Sequence, residues 1–296
     1  MQRKHAPLLI LLAAVLWGTT GAQALAPRGA DPLVIGAVRL AFGGIPLLIL
    51  ILVMGKVTFR NWPIRETFAA SISMACYQPL FFSAVSMTGV AVGTVIAIGS
   101  APVLSGALEW IFLKKSPARV WWTSTVLSII GCILLFMNKE SVTVDPFGIL
   151  LALGAGLSFA AYSFVSGKLV ERHSSISIVA VVFTLRAVML SPLLFLYDLS
   201  WIGGFRGLAV SLHLGLVTTG VSYYLFAKGL LNVPSSTGVT LALAEPLTAA
   251  LLGVFFIGER LAWTSWLGIG LLLFGIGILI FDFKKKDVRN EISLEI

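Results

Sequence analysis

Apolar runs about as long as a bilayer is thick recur along this chain from near its start to near its end. Residues 33–54 hold a single charged side chain, Arg39, and residues 90–113 hold one, Glu109. A helix needs roughly 20 apolar residues to cross the hydrocarbon of a membrane. Runs of this length occur about ten times, at 7–27, 33–54, 66–87, 90–113, 118–137, 146–167, 176–197, 207–229, 236–257 and 262–281. The third is the most diluted, by Ser71, Ser73, Tyr77 and Gln78. The runs are continuous and do not alternate apolar with polar residues, which excludes a strand-built membrane barrel. The expected fold is therefore an all-α polytopic membrane protein with ten transmembrane helices.

Composition closes off the soluble alternative. Hydrophobic residues make up 58% of the chain and charged ones 11%, against about 25% charged in soluble domains. A soluble chain of 296 residues could not hide that apolar surface in one core, because its exterior must meet water. The formal charge of +8 does not point to nucleic acid, since the basic residues lie in short patches between apolar runs and form no continuous face. Cys76 and Cys132 both lie inside such runs and are too few for a disulfide framework. After Arg3 and Lys4 the chain reaches no small-residue cleavage site before becoming a full span, so the first helix is expected to stay uncleaved.

Lysine and arginine set the expected orientation. With the N-terminus inside, 15 of the 21 basic residues fall in inner segments and 4 (Arg28, Lys139, Arg206, Arg260) in outer ones, while Arg39 and Arg186 lie within spans. The positive-inside rule then places both termini in the cytoplasm of a cell whose inner membrane holds the protein. Lys284, Lys285 and Lys286 act as a stop and anchor, with attraction to anionic lipid expected.

The polar segment 138–145 marks a midpoint, and the two sides of it resemble each other. Residues 10–13 recur as 149–152 (Ile-Leu-Leu-Ala), and Arg39 with Pro46 recurs as Arg186 with Pro192. At a constant offset of 144, Phe82 matches Phe226, Pro102 matches Pro246, Trp122 matches Trp266 and Gly131 matches Gly275. Five spans per half is an odd number, so the second half must enter the membrane upside down. Two inverted five-helix repeats are expected, at 1–140 and 141–283, followed by a basic cytoplasmic tail at 284–296. Inverted repeats suit transporters, because similar halves can exchange conformations around a shared central site.

Ionisable groups inside spans cost about 2.5–3.5 kcal/mol each at the helix centre, so each needs a reason. Arg186 and Glu245 are the deepest. A structural ion pair between them and a direct part in a solute or proton path are both open. Arg39 sits nearer the outer end, where snorkelling to the interface is the simpler expectation. Glu109 is expected to pair at the surface with Lys114 and Lys115. Trp17, Tyr77, Gln78, Tyr162, Tyr223 and Tyr224 are candidates for the wall of a solute path, an aromatic surface with a few polar tips. Pro102 and Pro246 are candidate helix-distorting positions, since proline removes a backbone donor and frees a carbonyl one turn back. Trp62, Trp121, Trp122, Trp201, Trp263 and Trp266 lie at span ends, as interfacial belts do, and His213 has no partner at metal-ligand spacing.

The string Ala242-Leu243-Ala244-Glu245-Pro246-Leu247, then Gly258-Glu259-Arg260, then a last span with Gly268, Gly270, Gly275 and Gly277, resembles the second half of EamA-type proteins of the drug/metabolite transporter superfamily. Leu16-Trp17-Gly18 with Arg39, and Ala160-Ala161-Tyr162 with Arg186, resemble the starts of the two EamA units. One departure is plain: the first half has Ser100-Ala101-Pro102 where the second has Glu245-Pro246, so any role for that acid belongs to one half. The resemblance implies a secondary carrier, commonly an exporter of amino acids, related metabolites or drugs, working by alternating access without cofactor or metal. Its partners would be a small-molecule solute, the lipid bilayer and, where transport is coupled, protons. The residues themselves leave two alternatives open, a non-transporting receptor or assembly factor and an intramembrane enzyme. No mid-membrane serine–histidine arrangement, paired aspartates or metal-ligand cluster is present for the latter, and no nucleotide-binding loop for a pump.

Overall fold

The computed structural model describes residues 5–21, 32–55, 62–137 and 145–294. The polar midpoint 138–144 and the cations at 3, 4, 28, 56, 60 and 139 lie outside these residues. The described chain folds into helices, with no strand among its residues. They are α1 (Ala6–Gly18), α2 (Pro32–Val53), α3 (Ile64–Leu113), α4 (Arg119–Phe136), α5 (Pro146–Val170), α6 (Ser175–Leu194), α7 (Phe205–Leu230), α8 (Ser235–Ile257) and α9 (Trp263–Leu294). Eight of the described helices are long and apolar enough to cross a membrane, and α1 is a shorter apolar one.

Local chemistry explains where several helices begin, bend and end. Asp145 caps α5, its Oδ1 accepting from the backbone N–H of Phe147 (2.8 Å) and Gly148 (2.9 Å), and Pro146 supplies the first helical residue, where a missing donor costs nothing. α3 spans 50 residues, which as a straight rod would be about 75 Å long, more than twice the thickness of the hydrocarbon. It is not straight. Gly89 takes φ 83° and ψ 160°, a region essentially reserved for glycine, and divides α3 into arms 64–88 and 90–113 that correspond to the expected third and fourth spans. α8 is interrupted at Ala242–Leu243. Pro246 has no N–H to give, and Glu245 N–H bonds to the carbonyl of Ala242, three residues back, at 2.9 Å. Pro102 lies within an uninterrupted stretch of α3. α7 widens to a π-helix over His213–Val221, where the hydroxyl of Thr219 donates to the carbonyl of Leu214, five residues back (2.8 Å). The last helix runs on through residue 294, so the basic segment from 284 continues α9 instead of leaving it.

The helices pack mostly between distant parts of the chain. α2 lies on α6, α4 on α9, α3 on α5, and α1 on both α7 and α8. α5 touches both arms of α3: a Cβ on Gly148 would sit about 3.0 Å from Met87, and one on Gly156 would meet the Ala97 carbonyl at 2.7 Å. Small residues bring α4 and α9 together. A Cβ on Gly131 would lie 2.7 Å from the carbonyl oxygen of Gly268, and Ser124 and Ser265 donate across to the carbonyls of Gly275 (2.5 Å) and Leu135 (3.0 Å). The glycines matched at an offset of 144 thus share one helix crossing. Large apolar side chains such as Val53, Phe256 and Phe274 face outward and are exposed, as lipid allows and water does not.

Candidate functional site

Where α1, α2, both arms of α3, α5, α7 and α8 converge they leave a cavity of about 130 Å³. Its wall carries Trp17 from α1, Arg39 from α2, Tyr77 and Gln78 from the first arm of α3, Tyr223 from α7 and Glu245 from α8. Six of the nine side chains picked out from the sequence therefore meet around one space. Two more, Tyr162 and Arg186, stand directly behind it. Tyr162 is fully buried with its ring 5.7 Å from Tyr223 and 6.0 Å from Phe183. Arg186, 2% exposed, donates from Nη2 to Gln78 Oε1 at 2.7 Å and lies 5.6 Å from the Phe183 ring.

Aromatic rings form the floor. Trp17 packs on Tyr223 (4.7 Å between centroids), Phe226 (5.2 Å) and Phe159 (5.9 Å), and Phe183 on Tyr223 (4.4 Å). The three Trp17 spacings lie within the range where such pairs attract beyond simple burial. The Nε1 of Trp17 and the Nε of Arg186 are buried and have no hydrogen-bond partner in the protein.

Three expectations need correction here. Arg186 is partnered by Gln78 and makes no ion pair with Glu245. Arg39 does not snorkel: its Nε donates to Thr219 Oγ1 on the π-segment of α7 at 3.1 Å, and its side chain lines the cavity with Glu245. Tyr224 turns away from the wall, accepting from Lys228 Nζ at 3.3 Å and placed 5.4 Å beneath that ammonium.

A second, larger cavity of about 970 Å³ lies at the end of the bundle formed by Lys115, Lys168, Arg172, Leu230 and Pro234. Glu109 stands in its wall, buried, and its carboxylate is not at the surface with Lys114 and Lys115. Oε1 accepts from Ser235 Oγ (2.8 Å) and Ser236 N–H (3.1 Å), and Oε2 from Ser236 Oγ (2.5 Å). It thereby caps the N-terminus of α8, where a negative charge is favoured. Trp121 is also inside, not in an interfacial belt: it is 3% exposed, and a Cβ on Gly106 would meet its ring at 2.6 Å. The two cavities are separated by a thin layer. Along α8, Ser236 lines the larger and Val239 the smaller. His213 shares a 3.0 Å hydrogen bond with Thr19 of the turn after α1. Among the described residues no group of His, Cys, Asp or Glu is placed to hold a metal ion.

Several proteins similar to this chain in sequence are named as transporters or exporters. The chain is 52% identical over 284 residues to the uncharacterized transporter YwfM of Bacillus subtilis (strain 168), covering 96% of both chains. It is 29% identical to the threonine/homoserine exporter RhtA of Escherichia coli (strain K12), covering 90% of this chain and 87% of that one. A crystal structure with 20% sequence identity superposes with a TM-score of 0.80 over 94% of this chain and 99% of the other, which establishes the fold alone. The profile of the EamA-like transporter family matches twice in succession, at residues 5–137 and 146–281. On that match, which spans nearly all of the described helices, the chain belongs to the EamA-like transporter family.

Proposed function

We propose that this protein is a secondary-active carrier that exports a small amino acid or a closely related metabolite by alternating access, from the cytoplasm across the inner membrane. The observation that carries the reading is the convergence of Arg39, Gln78 and Glu245 on one aromatic-walled cavity. A zwitterion needs a cationic and amide wall for its carboxylate and an acid for its ammonium, and this cavity has both. The volume narrows the choice among solutes. Pockets for drug-sized ligands begin at about 300 Å³, whereas this one is about 130 Å³, which favours a small metabolite over a drug. The 29% identical relative from Escherichia coli, a threonine/homoserine exporter, falls in the same class.

Ten crossings in two inverted five-helix units complete the proposal, with α3 counted as two because of Gly89. Packing supports this count. Numbered in order, crossing 2 lies on 7 and 5 on 10, while 1 packs on 8 and 9 as 6 packs on 3 and 4. Adding five to each number leaves the pattern unchanged, as two halves related by a pseudo-two-fold axis require. Both termini and the larger cavity then face the cytoplasm.

The test is transport by purified protein in liposomes under an imposed pH gradient, with labelled L-threonine, L-homoserine and the lipophilic dye ethidium. Saturable movement of the amino acids with ethidium left behind is expected. Movement of ethidium without any amino acid would refute the substrate class.

A further inference from the structure

A carboxamide has two unlike ends, and the end it turns toward a cavity decides what the cavity can hold. Gln78 is buried and lines the smaller cavity. Its Oε1 receives the 2.7 Å bond from Arg186 Nη2. A guanidinium has donors only, so the amide cannot sit the other way round: the oxygen faces Arg186 and the NH₂ faces elsewhere. That NH₂ lies against Gly36 of α2, where a Cβ would come within 2.6 Å of Nε2. Gly36 and Arg39 are three residues apart in one helix and so share a face. Gln78 and Arg39, whose Nε is taken up by Thr219, both line the cavity, and the Gln78 NH₂ lies on its α2 side. Trp17 Nε1, buried without a protein partner in a side chain that is 3% exposed, adds a further donor to the cavity lining. Arg186 itself is not part of that lining.

We propose that Arg186 is a positioning residue that never touches the solute: it orients Gln78 so that the carboxamide NH₂, together with Arg39, receives the solute's carboxylate, leaving Glu245 for the ammonium. This assignment rests on the amino-acid reading above and deepens it. Arg186 sets selectivity by fixing an amide, and Gly36 contributes by being small enough to let that amide stand.

Gln78→Glu separates orientation from recognition. It keeps an acceptor for Arg186 and makes that partner ionic, but it replaces the NH₂ on the α2 side with an oxygen. Gln78→Leu removes both. Two measurements on the purified full chain are needed: thermal unfolding without solute, and calorimetric binding of L-threonine and of L-threoninol, which carries an alcohol in place of the carboxylate. Gln78→Glu should unfold at or above the wild-type temperature and Gln78→Leu below it. L-threonine should bind Gln78→Glu at least about tenfold more weakly than wild type, with L-threoninol little changed. Gly36→Ala, which presses on the amide without altering charge, should shift the threonine-to-threoninol ratio in the same direction. If Gln78→Glu falls in stability as far as Gln78→Leu, the Arg186 orientation is wrong and the proposal is overturned. If stability behaves as expected but the ratio is the same in wild type and Gln78→Glu, the carboxylate role is overturned while the carrier reading stands. If wild-type protein binds neither compound, the amino-acid reading fails and takes the carboxylate role with it, whereas the unfolding series still decides the Arg186–Gln78 orientation.

Discussion

Glu109 on the second arm of α3 holds Ser236, 127 residues further along the chain, by both its backbone N–H and its hydroxyl. A helix N-terminus leaves backbone donors unsatisfied, and α8 has no cap of its own, since the residue before it is Pro234. The carboxylate of one half therefore does the capping for the other, at a point one turn from the smaller cavity.

Truncating that carboxylate strands buried donors on Ser235 and Ser236. Glu109→Ala should lower stability by about 2–4 kcal/mol, and Glu109→Gln, which keeps one acceptor, by clearly less. Thermal unfolding in detergent measures this. Equal unfolding temperatures for wild type and Glu109→Ala would mean that the cap contributes nothing.

Gly89 offers a contrast between two glycines. Its φ of 83° admits no ordinary side chain, while a Cβ on Gly277 would meet nothing within 4 Å. Gly89→Ala should cost about 1–3 kcal/mol. Gly277→Ala, in the interior of α9, should be neutral or stabilising by roughly 0.5–1 kcal/mol. Parallel unfolding curves for the two variants would show that the bend does not depend on glycine.

The proposed orientation places Ser174 inside and Gly203 outside. Both are exposed, so single cysteines there, in a background lacking Cys76 and Cys132, can be probed in intact cells with a membrane-impermeant thiol reagent. Labelling is expected at Gly203→Cys alone. Labelling at Ser174→Cys alone would reverse the orientation.

Glu245 is the one acid lining the smaller cavity among the described residues. If export is driven by protons, it is the group that carries them. In liposomes, Glu245→Gln should retain exchange of labelled for unlabelled threonine but lose accumulation driven by a pH gradient. Accumulation that persists in this variant would assign the proton elsewhere.

Depth was legible in the sequence, and partnership was not. Hydropathy alone places Arg186 and Glu245 far from either surface, because a charge in the middle of an apolar run has nowhere else to be. The bond from Arg186 to Gln78 links positions 108 apart, a distance that no local pattern encodes. The weakness of the third span has the same origin, since Tyr77 and Gln78 are polar because they face a cavity. Glu109 misled for a local reason: α3 ends at Leu113 and Lys114 turns left-handed at φ 55°, so the lysines leave the helix while the acid stays on its buried side. Tyr223 and Tyr224 are adjacent, but one residue in an α-helix is about 100° of rotation, enough to separate a cavity wall from the face that meets Lys228.

The interleaved packing bears on how the protein can be made. The helices of residues 5–137 find their principal neighbours in 146–281 rather than among themselves: α2 on α6, α4 on α9, α3 on α5 and α1 on α7 and α8. During synthesis the first stretch must therefore wait in lipid with Trp17, Gln78 and Ser124 unmatched until its counterpart is inserted. Inserted helices later associate by packing and hydrogen bonds, and here those contacts arrive only with the later helices. A chain interrupted after residue 137 would leave a set of lone helices searching for partners, not a working half.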